Sequence, residues 1–182
     1  LLQGDVGSGK TAVALLALAK TVENGLQGIM MVPTEILAEQ HFQSCADLLT
    51  SLGIRSALLT GRVKGKSRSE LLQQIQAGDV DVVIGTHALI QPDVSFCQVG
   101  LIVVDEQHRF GVAQRACLQE KGTAPHTLVM SATPIPRTMA LTLYGDLDIS
   151  TIRHLPPGRK PIVTAVRSGE AARTKVYQFL AT

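Results

Sequence analysis

Gly4-Asp5-Val6-Gly7-Ser8-Gly9-Lys10-Thr11 is the stretch on which the reading of the fold turns. It satisfies G-x-x-x-x-G-K-[ST] in full, between the apolar Leu1-Leu2 and an amphipathic run that starts at Thr11. A strand end, a glycine-rich loop and a helix in that order let backbone N–H groups converge on phosphate oxygens, backed by the positive end of the helix. Gly4, Asp5, Val6, Gly7, Ser8, Gly9, Lys10 and Thr11 are therefore candidate nucleotide-binding residues. Lys10 would reach the β- and γ-phosphates as a point charge, a catalytic role, and the Thr11 hydroxyl would hold Mg²⁺. A glycine-rich turn without a ligand is the competing reading, and the strand–loop–helix context counts against it.

Outward from the loop, short β-branched runs alternate with amphipathic stretches, the pattern of repeated βαβ units. Residues 1–3 read as a strand end, 11–24 as a helix stopped by Gly25, and 29–32 as a buried strand. Thr34 can cap a helix that runs to about Leu52. Residues 55–59 read as a strand, and Ser67 can cap a helix ending at Gly78. Strands are expected at 80–84, 101–104 and 127–130, and a helix at 135–144. After Leu155-Pro156-Pro157-Gly158 the texture changes, with a possible strand at 161–167 and a helix at 171–180.

The second informative stretch is Leu101-Ile102-Val103-Val104-Asp105-Glu106, which sets two carboxylates at the C-terminal end of an apolar strand. In an open α/β sheet that edge is where ligands bind. Asp105 is the second candidate metal residue, opposite Thr11, and Glu106 the candidate catalytic base for the attacking water. Alone, such an ending is more often a plain surface turn; the phosphate loop is what favours chemistry.

Composition agrees with a covered parallel sheet. The 182 residues are enough for one well-buried domain, 45% are hydrophobic, and only 3% are aromatic, so the core is aliphatic. No apolar run is long enough for a membrane span, and no signal peptide is recognisable. Cys45, Cys97 and Cys117 lack metal-ligand spacing, so reduced, mostly buried thiols and a cytoplasmic location are expected. Net charge is only +2, but Arg55, Arg62, Lys64, Lys66 and Arg68 form a run without an acid, and Arg153, Arg159, Lys160 and Arg167 form another. The first run is either a solvated face or a phosphate-contacting one.

The residues after Val104 narrow the family. Asp105-Glu106-Gln107-His108 resembles the DExH box of superfamily 2 helicases, and its extension Arg109-Phe110-Gly111-Val112 resembles the RecG family of branched-DNA helicases. Ser131-Ala132-Thr133 resembles helicase motif III, and Pro134-Ile135-Pro136-Arg137-Thr138 a continuation shared with the Mfd translocases, which typically carry Glu where Gln107 stands. Residues 33–40 resemble motif Ia and 85–89 a later DNA-contacting motif, with Thr60-Gly61 between them.

The resemblance implies a RecA-like P-loop NTPase lobe of α/β class, with a mostly parallel sheet and helices on both faces. It implies ATP and Mg²⁺ as cofactors and branched DNA, contacted mainly through its backbone, as partner. Thr34, Gly61, Thr86 and His87 carry over as DNA-binding residues. Gln107, His108, Ser131 and Thr133 carry over as residues coupling the nucleotide to the DNA path. Read locally, Thr34 is a helix cap, His87 a hydrogen-bonded loop residue, and Ser131 and Thr133 hydroxyls ending a strand. Arg109 and Arg137 fit salt bridges as well as functional roles, while His41, His126 and His154 match nothing and are assigned core or surface duty.

The expected organisation is a first motor lobe over residues 1–155, truncated before Leu1, then a linker and the opening of a second lobe over 156–182. The second lobe, with its arginine fingers, and a wedge domain would lie elsewhere in the polypeptide. A piece of this kind is expected to bind nucleotide weakly and to hydrolyse it negligibly. Two alternatives stand beside the helicase: an Mfd-like double-stranded DNA translocase, and a nucleotide-binding scaffold without catalysis. A transporter or metabolic kinase finds no support in residues 33–40 or 131–138.

Overall fold

The computed structural model describes residues 1–106, 117–122, 124–132, 147–153, 164, 166 and 168–180. Its seven strands are β1 (Leu2–Gly4), β2 (Gln27–Met31), β3 (Ser56–Leu59), β4 (Val82–Gly85), β5 (Val99–Val104), β6 (His126–Ser131) and β7 (Ser150–Ile152). They form one sheet in the order β3-β4-β2-β5-β6-β1-β7, and every neighbouring pair is parallel. The long helices among the described residues are α1 (Lys10–Glu23), α2 (Glu35–Ser51), α3 (Gly65–Ala77) and α4 (Glu170–Leu180).

Strands covered on both faces carry continuous apolar runs instead of alternation. β2 and β4 are buried at every position. Successive residues then feed opposite layers. Met30, Ile84, Val103 and Met130 pack with Ala14 and Leu18 of α1 and with Ala38, Cys45 and Leu49 of α2. Ile29, Met31, Val83, Ile102 and Val104 pack on the other side with Ile75 of α3, Leu89 and Leu118. The α1 layer lies so close to the sheet that a Cβ on Gly28 would collide with the end of the Leu18 side chain.

The expected α/β architecture is therefore present, and most elements fall within a few residues of the positions read from sequence. The start of α3 differs. The helix opens at Gly65, Lys64 occupies the cap position without a side-chain cap bond, and Ser67 lies inside the first turn. β7 was not foreseen, because Ser150-Thr151-Ile152 is short and mostly exposed, without the apolar signature of an inner strand. The helix expected at 135–144 lies outside the described residues, as does most of the strand expected at 161–167. Of the cysteines only Cys45 is buried; Cys97 and Cys117 are exposed, contrary to expectation, because they sit on peripheral segments. No helix among the described residues is long and apolar enough to cross a membrane.

Candidate functional site

Because all strands are parallel, the segments leaving β1, β5 and β6 emerge on one edge of the sheet. After β1 the chain turns through Gly7 and Gly9, at φ 76° and 96°, a backbone open to glycine and strained for other residues. Lys10 begins α1, and its ammonium donates to the carbonyl oxygens of Gly4 at 2.8 Å and Asp5 at 2.9 Å. On the far side of β6, β5 delivers Asp105. Its N–H donates to the Met31 carbonyl at 2.9 Å, and its Oδ1 accepts the N–H of Glu106 at 2.9 Å. Glu106 holds φ 51°, a left-handed backbone uncommon away from glycine.

Lys10, Thr11, Asp105 and Glu106 line a single cleft of about 310 Å³ together with Val6, Gly7, Gly9 and Ala132. The two stretches read as chemical in the sequence are thus brought together. The cleft suits a phosphate ester and a hard cation. Gly9 lines it, and nothing lies within 4 Å of where a Gly9 Cβ would stand. The Lys10 ammonium fits an anionic oxygen, and the Thr11 hydroxyl and Asp105 carboxylate are oxygen donors of the sort Mg²⁺ takes.

One participant escaped the sequence reading. His41, assigned only core or surface duty, stands on α2 with Nε2 3.3 Å from Asp105 Oδ2. Hydrogen bonding to Asp105, then to Cys45, outweighs burial and pushes its imidazole up to about 9, so it carries charge at neutral pH. The available signal was its place in the buried stripe Ala38, His41, Cys45, Leu49, which turns it toward the sheet. Its partner was beyond the reach of helical spacing.

The remaining candidates divide. Thr34 caps α2, its Oγ1 accepting the Leu37 N–H at 3.3 Å. Gly61, Thr86 and His87 line a second, open groove of about 670 Å³ with Glu35, Lys64 and Arg68. Thr86 is buried and His87 exposed at the start of a 3₁₀ turn, His87–Ile90. Ser131 is buried at the end of β6, in register with Gln3. Gln107, His108 and Thr133 lie outside the described residues, as do Arg109, Arg137 and His154, while His126 is exposed at the start of β6.

The basic run is largely an internally paired face. Arg55 meets Asp81 at 2.7 Å, Arg62 meets Glu39 at 2.6 Å and Glu35 at 3.1 Å, Lys66 meets Glu70 at 3.6 Å, and Arg68 meets Asp93 at 3.0 Å. Lys64 has no ion pair among the described residues and borders the groove at the N-terminus of α3.

Comparison with known proteins agrees with this geometry. Residues 1–142 match the model of the DEAD/DEAH box helicase family. The ATP-dependent DNA helicase RecG of Streptococcus pneumoniae is 58% identical over 164 residues, covering 90% of this chain and 24% of that protein. RecG of Aquifex aeolicus is 52% identical over 180 residues, covering 98% and 23%. The chain thus spans about a quarter of the length of the curated relatives it matches. Among solved structures, RecG bound to a three-way DNA junction aligns with a TM-score of 0.78 and 47% identity, over 98% of this chain and 24% of that one. The helicase MrfA bound to DNA, 19% identical with a TM-score of 0.64 over 84% of this chain and 24% of that one, shares the fold. With its phosphate loop and its Asp-Glu strand end meeting in one cleft, the chain belongs to the DEAD/DEAH box helicase family.

Proposed function

We propose that the chain is the first RecA-like motor lobe of an ATP-dependent DNA helicase that remodels branched DNA, as the RecG proteins it resembles suggest. The observation that carries this reading is the shared cleft of Lys10, Thr11, Asp105 and Glu106. In it the N–H groups and Lys10 ammonium of the loop cradle the phosphates, and Glu106 takes the proton of the water that attacks the γ-phosphate. Thr11 and Asp105 would hold Mg²⁺, which supplies neutralisation of the charge that builds on the transferred phosphoryl group. Ser131, with Gln107, His108 and Thr133, links this cleft to the DNA path.

DNA is assigned to the second groove. The N-terminus of α3 opens there with no acidic residue in its first turn and no side-chain cap, beside Lys64, Thr86 and His87. Unpaired N–H groups, a hydroxyl and one ammonium suit phosphate contacts, which position a strand without reading its bases. Residues 1–155 make up the lobe, and 156–182 lead into the next unit of the polypeptide. In support of that continuation, α4 leaves Val176, Tyr177 and Phe179 at 40%, 59% and 80% exposure, apolar surface that an adjoining unit would cover. That unit would supply the arginine fingers.

Substituting Glu106→Gln in the full-length protein tests the reading. Hydrolysis stimulated by forked DNA is expected to fall by about 10² or more while ATP binding persists. Retained turnover would overturn the role of Glu106 as base; ATP binding without turnover in the unsubstituted protein would return the chain to a nucleotide-binding scaffold, and stimulation by linear duplex alone would favour the Mfd-like translocase.

A further inference from the structure

His41 is the one polar member of the α2 stripe formed with Ala38, Cys45 and Leu49, and the other three are core residues. Its Nε2 stands 3.3 Å from Asp105 Oδ2, with both side chains largely enclosed, at 16% and 13% exposure. The other carboxylate oxygen, Oδ1, accepts the N–H of Glu106 at 2.9 Å. Asp105 is therefore gripped at both oxygens, once from the end of β5 and once from a helix on the neighbouring layer. Turning the carboxylate about its side-chain bonds breaks one grip or the other. Cys45, one turn along α2, also hydrogen-bonds to His41. A carboxylate has about four acceptor positions, so these two donors leave places on each oxygen for a hydrated cation.

We propose that His41 is a positioning residue that holds the Asp105 carboxylate in the orientation a divalent cation requires. This rests on the reading of Asp105 as the metal-side carboxylate. Groups that orient metal-binding side chains from behind commonly govern about 10–100-fold in metal affinity. His41 thereby ties α2, whose first residues border the DNA groove, to the metal side of the cleft. The contact is more than a bolt between helix and sheet, since an apolar residue in the stripe would serve that purpose.

The test uses the full-length protein and a fluorescent ADP analogue, titrated in EDTA and again in Mg²⁺, with Mn²⁺ binding followed by electron paramagnetic resonance. His41→Ala is expected to reduce the gain in ADP affinity on adding Mg²⁺ by about 10-fold or more, and to leave metal-free affinity unchanged. His41→Gln, whose amide nitrogen reaches roughly where Nε2 stands, is expected to restore most of that gain. Equal losses with and without metal, an unchanged Mg²⁺ gain, or failure of the glutamine variant to recover would each overturn the proposal. If His41→Ala does not fold, His41→Leu, which refills the stripe with apolar bulk, is read against His41→Gln in the same way. Asp105→Asn separates the two levels of inference. If it keeps the Mg²⁺ gain, the metal reading falls and the proposal with it; if it abolishes the gain while His41→Ala preserves it, only the role of His41 falls.

Discussion

At the scale of single residues, Glu106 combines a chemical side chain with a backbone that glycine would hold more comfortably. Its φ of 51° costs a residue with a Cβ of the order of 1 kcal/mol or more. Glu106→Gly is accordingly expected to leave stability unchanged or raise it by up to about 1 kcal/mol, even as hydrolysis is lost. Thermal denaturation beside an ATPase assay checks this. A fall in melting temperature would mean that the strain is absent or that the carboxylate stabilises the fold. Strain of this kind was not legible in the sequence, since Asp-Glu reads the same whichever way the backbone turns. Lys10, Thr11 and Asp105 were legible, because glycine spacing and an apolar strand ending in acid are local patterns. His41 was not: its partner lies far along the chain, and only the completed packing of α2 on the sheet brings the two together.

Among elements, α1 approaches β2 closely where Gly28 faces the fully buried Leu18. Gly28→Ala is expected to destabilise by about 1–3 kcal/mol through overpacking, measured by urea unfolding. Pairing it with Leu18→Val should cost less than the sum of the two single changes, because the trimmed side chain makes room. Strict additivity would show that the two residues do not press on each other. Since α1 begins at Lys10, nucleotide affinity should fall with Gly28→Ala as well. The inner strands were readable as aliphatic runs because burial on both faces imposes that composition. Their ends were less so. β3 begins one residue later than read, at Ser56, just after the arginine whose side chain closes on Asp81. β7 offered too little apolar surface to be noticed, although its pairing with β1 steadies the strand that launches the phosphate loop.

For the whole molecule, the cleft presents its ammonium and carboxylates at the rim of the sheet, where an adjoining lobe would have to complete the surroundings of a transferred phosphate. The isolated 182 residues are expected to release phosphate at less than roughly 10⁻³ of the full-length rate, with no response to forked DNA. Appreciable stimulated turnover of this chain alone would contradict the two-lobe reading. The strand order carries a further implication for biosynthesis. β2, β3, β4 and β5 are mutual neighbours and can pair as they leave the ribosome, whereas β1 finds its partners only at Met130 and Ser150. Such long-range closure is slow, and an unclaimed strand is prone to mispairing in the interval. The phosphate-loop segment, although translated before the strands that pair with it, would therefore be among the last parts of the sheet to mature, and a ribosome that stalled before residue 126 would release a half-built sheet with no working rim.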